Sequence, residues 1–127
     1  MKVFLGGTCN GSNWRDKLIP NLKIDYFNPV VEDWTPECQE EEIRQRQNCD
    51  YCLYVITPKM TGVYSIAEVI DDSNKRPEKT IFCFIQDDCG KSFDGAQIKS
   101  LRMVGKMVQD NGGIFVEDFC HLPKILR

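Results

Sequence analysis

The sequence predicts an α/β fold, a parallel five-stranded sheet between two helical layers. Three observations predict it. Short apolar runs alternate with longer amphipathic or polar stretches along the whole chain. One run, Tyr51-Cys52-Leu53-Tyr54-Val55-Ile56, is apolar almost throughout, as a central parallel strand covered on both faces must be. The strand-then-helix order repeats to the end of the chain, which calls for right-handed crossovers and parallel pairing.

The elements follow in order. Val3-Phe4-Leu5 is the first strand, and it runs into a glycine-rich turn. Ser12 is placed to cap a short helix that starts near Asn13 and ends before Pro20. Residues 24–27 make the second strand, stopped by Asn28-Pro29. Thr35 caps a helix over 36–47, with acids early and arginines late, as the helix dipole favours. The third strand is 51–56. A helix over 64–74 follows the loop Thr57-Pro58-Lys59-Met60-Thr61-Gly62. A fourth strand spans 80–85, and a longer helix over 93–109 closes at Asn111-Gly112-Gly113. Ile114-Phe115-Val116 is the fifth strand, and the tail is a short helix at most.

A length of 127 residues fits a single domain over 1–127, with 42% hydrophobic and 28% charged residues. The 16 Lys and Arg against 19 Asp and Glu leave a net charge of -3, which argues against a nucleic-acid polymer as partner but not against a small ligand. No apolar run approaches the ~20 residues of a membrane span, and no secretory leader pattern opens the chain. A cytoplasmic protein without a membrane partner is expected. The cysteines number 7 and the histidines 1, so reduced thiols are expected. Cys49-x-x-Cys52 has the spacing of a redox or metal pair, but no second pair exists and Cys52 falls inside a buried strand. Packing is therefore the expected role, with no metal and no cofactor.

In a doubly wound sheet, ligands bind beyond the carboxyl ends of the strands, where strand order reverses. The loop Gly6-Gly7-Thr8-Cys9-Asn10-Gly11-Ser12 lies there. Its glycines would let backbone N–H groups approach a ligand, although it matches neither the P-loop nor the dinucleotide fingerprint; a flexible turn is the alternative. The segment after the third strand carries Ser65, Glu68 and Asp72 on one stripe, at i, i+3 and i+7. Ile66, Val69 and Ile70 form that helix's apolar face, so Glu68 either belongs to a solvated face, paired with Ser65 as a cap, or faces the ligand crevice. The run Glu40-Glu41-Glu42 can turn only one or two of its acids toward a cleft. Asp50 starts the third strand, and Trp34 and Tyr26 are aromatics able to stack on a base.

Together, Val3-Phe4-Leu5-Gly6-Gly7-Thr8, Phe27-Asn28-Pro29, Cys49-Asp50 and Tyr64-Ser65-Ile66-Ala67-Glu68 resemble the nucleoside 2-deoxyribosyltransferase-like family, over about the first two thirds of the chain. The resemblance implies a flavodoxin-like three-layer sandwich with sheet order 2-1-3-4-5. It implies Glu68 as the nucleophile that attacks C1′ of a 2′-deoxynucleoside or deoxynucleotide, with the sugar then passed to another base. A second acid should protonate the leaving base, and among the three acids of the run Glu40 fits the family's spacing best. Phe4, Gly6, Gly7, Thr8, Asn10, Asn28, Asp50, Gly62 and Ser65 fall at substrate-binding positions. Two of these depart from the family: Gly62 stands where an aspartate is usual, and Phe4 where a tyrosine often is. The partner implied is a small nucleoside or nucleotide, held by a homo-oligomer. Hydrolysis of the same bond, or nucleotide binding without catalysis, are the alternatives.

Overall fold

The computed structural model describes residues 1–9 and 11–127; Asn10 lies outside the described residues. Five parallel strands form the main sheet: β1 (Lys2–Gly7), β2 (Asp25–Phe27), β3 (Tyr51–Ile56), β4 (Thr80–Phe84) and, after a two-stranded hairpin, β7 (Ile114–Val116). The hairpin pairs β5 (Asp87–Asp88) with β6 (Lys91–Ser92). The helices are α1 (Trp14–Leu18), α2 (Pro36–Asn48), α3 (Tyr64–Lys75), α4 (Gly95–Asp110) and α5 (Leu122–Ile125). The sheet order is β2-β1-β3-β4-β7, which is the flavodoxin-like order.

Why these segments pack this way follows from the two-residue period of a strand. Val3, Leu5, Leu53, Val55, Ile81 and Cys83 point to one face and pack under Trp14 and Leu18 of α1 and Leu122 of α5. Phe4, Cys52, Tyr54, Ile56, Phe82 and Phe84 point to the other, against Val69 of α3 and Leu101 and Val108 of α4. Burial of each large apolar side chain contributes about 1.5–3 kcal/mol.

Helix α2 is different. Its sequence is polar apart from Pro36, Cys38 and Ile43, and Arg46 is its one buried residue. It starts where the sequence predicts, with the Thr35 side chain accepting from the Cys38 N–H at 3.3 Å.

Several expectations need correction. Asn13, not Ser12, is the N-cap residue of α1; the Ser12 hydroxyl instead donates to Asp88 at 2.6 Å. Helix α4 starts at Gly95 rather than Phe93, because Asp94 and Gln97 form a reciprocal capping box there. The β5–β6 hairpin carried no clear signal in a two-residue strand pair. Cys49 and Cys52 are both buried free thiols; Cys52 donates to the Arg46 carbonyl at 3.2 Å, and burial pushes it up to about 12. No helix among the described residues is long and apolar enough to cross a membrane.

Candidate active site

The site is built at the carboxyl edge of the sheet. Strand β1 ends on Gly6 and Gly7, and both glycines are demanded by space. A side chain at Gly6 would meet the Tyr54 ring at 2.7 Å. Gly7 has φ +116°, and a Cβ there would lie 2.0 Å from the Val55 carbonyl oxygen. Thr8, the first residue beyond, is clamped rather than slack. Thr8 donates its N–H to the Val55 carbonyl at 2.9 Å, and its hydroxyl oxygen accepts from the Thr57 N–H at 3.0 Å. The Thr8 carbonyl accepts from the Trp14 indole and from Arg15 Nη1, at 2.8 and 2.7 Å. Arg15, itself buried, uses Nε and Nη2 on the Leu5 carbonyl. Behind the loop, the Ser12 and Thr57 hydroxyls both donate to Asp88 at 2.6 Å. Burial alone would raise that carboxylate, but these donors hold it below its ordinary value.

Helix α3 starts at Tyr64 behind Val63, with no side-chain cap. This disposes of the Ser65–Glu68 capping pair. The solvated-face alternative fails as well, since the Glu68 side chain is only 13% exposed. One turn on, Asp72 is fully buried. It accepts from Arg46 Nε and Nη2 at 3.2 and 3.0 Å, from the Tyr54 hydroxyl and from Arg76. Burial acts to raise it, and these donors together hold it below the usual carboxylate range. Arg46 Nη1 lies 3.4 Å from Glu68 Oε2, and Nη2 reaches Asp71 at 3.2 Å. Glu68 is pushed up to about 7, first by burial; Arg46 opposes this, and Glu42, Asp72 and Asp71 add to it. Glu42 is also raised by burial, against the pull of Arg46 and a hydrogen bond from Trp34.

These groups line a cleft of about 340 Å³ between α2 and α3. One wall is apolar, from Pro29, Val30, Val31, Trp34 and Ile43; Gln39, Glu42, Arg46, Ser65 and Glu68 bring the polar groups. A smaller cavity of about 160 Å³ lies alongside, over Gly7, Thr8, Thr61 and Gly62, and shares Cys9, Tyr64 and Ser65 with the first. An apolar slot with a few convergent polar groups is the usual form of a small-molecule site. Two carboxyls around one guanidinium, with raised affinities for protons, can divide nucleophile and acid roles.

The structure thus brings Glu68 and Ser65 to the cleft, and Gly7, Thr8 and Gly62 to the cavity alongside it that Ser65 also lines. It does not bring the other candidates there. Gly6 lies beneath, against the Tyr54 and Phe4 rings. Phe4 is buried in the core, stacked on Phe27 with centroids 5.9 Å apart. Asn28 is exposed and accepts from the Val30 N–H at 3.1 Å, an Asx turn that shapes the apolar wall. Asp50 accepts from the Lys2 N–H at 2.8 Å, at the amino end of the strands and so at the wrong edge of the sheet. Glu40 is exposed and off the cleft; the acid that α2 turns inward is Glu42, because a helix rotates about 100° per residue. Tyr26 is an exposed residue of the edge strand, whereas Trp34 lines the cleft. Asn10 lies outside the described residues.

Arg46 escaped the sequence reading. A signal existed: Asp72 continues the stripe at i+3 from the buried Val69, and a carboxylate in an apolar stripe needs a cation. Among the described residues, Arg46 and Arg76 answer it.

Two comparisons with known proteins bear on the site. No curated protein matches the chain. A protein-family model does, over residues 1–87, and its description reads "Nucleoside 2-deoxyribosyltransferase like".

Proposed function

The chain belongs to the nucleoside 2-deoxyribosyltransferase-like family, and from that premise we propose that it cleaves the N-glycosidic bond of a 2′-deoxynucleoside and passes the sugar to a second base. The observation that carries the reading is Glu68: a sheltered carboxylate at the carboxyl edge of the sheet, in the cleft, with Glu42 close enough to raise it.

In this reading a Glu68 oxygen attacks C1′. The new C1′–O bond forms as the C1′–N bond breaks, and its electron pair leaves with the base. Glu42, which burial keeps protonated to higher pH than an exposed glutamate, gives its proton to the departing base. The sugar then rests on Glu68 as an ester. A second base attacks C1′ through nitrogen, gives its proton back to Glu42, and frees the Glu68 carboxylate. Two displacements retain configuration at C1′. The base lies against the apolar wall, stacked on Trp34. The sugar lies over Ser65 and the Gly7–Thr8 backbone.

Charge favours a nucleoside with a free 5′-hydroxyl over a nucleotide. Among the described residues that line the two cavities, Arg46 is the only cation, and Asp72, Asp71 and Glu68 already engage it. Arg15 spends its donors on carbonyls. A phosphate here would face Glu42 and Glu68 without a free cation.

Hydrolysis is the second reading, favoured by Gly62. It lines the smaller cavity, and nothing lies within 4 Å of where its side chain would begin, which leaves room for water. The deciding experiment incubates the protein with deoxynucleosides and deoxynucleotides, with and without a free acceptor base, and follows products by chromatography. Base exchange supports transfer; free base plus free sugar supports hydrolysis. Tight binding without turnover across the panel would replace both with a binding module.

A further inference from the structure

We propose that Arg46 is the positioning residue of this site: clamped from behind by Asp72, it offers its remaining guanidinium nitrogen to Glu68 and holds that carboxylate, as an anion, toward the sugar. The inference rests on Glu68 as nucleophile and extends the machinery to a second helix.

The geometry argues for more than a structural ion pair. A buried guanidinium is costly unless its donors are engaged. Arg46 is the sole buried residue of α2, a mostly polar helix. Its Nε and Nη2 grip both oxygens of Asp72. Asp72 in turn is fully buried and held by the Tyr54 hydroxyl from β3 and by Arg76. The fork is therefore fixed in direction, and the nitrogen it has left, Nη1, faces Glu68 Oε2 at 3.4 Å. Asp72 is shared with Arg76, and Asp71 meets Nη2 from the exposed side, so Nη1 is the nitrogen that remains for the cleft. The further contact to a carboxylate in the cleft is what a site needs and a core does not.

The electrostatic need is plain. From α2, Glu42 and Arg46 face Glu68; from α3, Asp71 and Asp72 do; Tyr54 of β3 and Arg76 stand behind Asp72; Cys9 of the β1 loop lines the same cleft. Three carboxylates and burial favour the protonated, unreactive form of Glu68, and Arg46 is the group that opposes them. In the reaction no proton moves on Arg46. When Glu68 becomes a neutral ester the pairing is lost; when the second base breaks the C1′–O bond, the electron pair returns to the carboxylate and the pairing reforms. Arg46 thereby also makes Glu68 a better leaving group in the second step.

The test reads Glu68 directly. The protein is labelled with 13C at the glutamate side-chain carboxyl, Glu68 is assigned from the signal lost in Glu68→Gln, and its midpoint is followed by NMR in wild type, Arg46→Met, Arg46→Lys and Asp72→Asn. Arg46→Met is expected to weaken Glu68 as an acid by about tenfold or more. Arg46→Lys, which keeps the charge without the fork, should recover part of this; Asp72→Asn removes a carboxylate that by itself raises Glu68, so a midpoint that nevertheless rises in this variant reads the lost clamp. With a turned-over deoxynucleoside, kcat should fall in Arg46→Met with KM little changed, and the pH at which kcat is half-maximal on the acid side should rise. An unmoved Glu68 midpoint in folded Arg46→Met overturns the proposal. If that variant does not fold, a midpoint unmoved in Arg46→Lys and not raised in Asp72→Asn does so. The titration needs no turnover, so a shifted midpoint supports the clamp even if the wild type proves inactive, which would sink the catalytic reading separately.

Discussion

In the proposed reading Glu68 is the nucleophile, and it is also a sheltered carboxylate pushed up to about 7; these pull in opposite directions, and both can be measured. As nucleophile, its replacement in Glu68→Gln should lower turnover by about 10³-fold or more while ligand binding stays largely intact, since the cleft keeps its shape. Its folded affinity for a proton is about 7 against an ordinary 4.5. Between those values the native state holds a proton that the unfolded chain has released. Stability therefore falls as pH rises through that window, and the loss is complete above about 7. Glu68→Gln removes the liability: the variant should be more stable than wild type at about pH 8 by on the order of 2–3 kcal/mol and equal to it near pH 4, as urea unfolding at each pH would show. The catalytic profile follows from the same pair. If the proposed mechanism holds, turnover needs one proton shared between Glu42 and Glu68, so rates should fall where both are protonated and where neither is, with one limb near pH 7. Glu42→Gln should cost about 10²–10⁴-fold and flatten one limb.

At the scale of elements, the β1 turn and the α2 start make separate predictions. Gly7→Ala combines a left-handed φ of +116° with a Cβ 2.0 Å from a carbonyl oxygen of the central strand. It should destabilise by at least on the order of 2–4 kcal/mol, or prevent folding, as thermal melts would record. Thr35→Ala removes the cap on α2 and should cost about 1 kcal/mol. Because α2 buries only Arg46, that variant should also loosen the Arg46–Glu68 pair and lower turnover more than its modest stability loss explains. The element boundaries were largely legible from local chemistry. The central strand, the fifth parallel strand and the Thr35 cap fall where the residues predict, since each rests on a contiguous signal. The start of α1 was not, because the Ser12 hydroxyl is drawn to Asp88, a residue 76 positions away.

At the scale of the molecule, the cleft mouth is ringed by exposed apolar residues: Val30, Val31, Trp34, Ile43 and Tyr64 are all 44–65% exposed. Such a ring usually marks a ligand or a partner. The resemblance to the family implies a homo-oligomer, and a second copy covering this mouth would account for the ring. Light scattering should then return a mass above that of one chain, and Trp34→Ser should lower both the mass and the affinity for the nucleoside. A monomer mass at all concentrations would leave the ring to the ligand alone.

The sequence by itself determined the class of fold and the order of the five strands of the main sheet and the helices between them, because those depend on the periodicity of neighbouring residues. It also singled out Glu68 but could not choose between a solvated helix face and the crevice. That choice depends on what lies opposite. Helical periodicity describes one helix in isolation, and here a second, polar helix is held beside it by Arg46 on Asp72. The same packing decided that Glu42 rather than Glu40 enters the cleft and that Asp50 stands at the far edge. A contact between residues 22 positions apart, Arg46 and Glu68, leaves no trace in local pattern; it exists only once the sheet has brought α2 and α3 together.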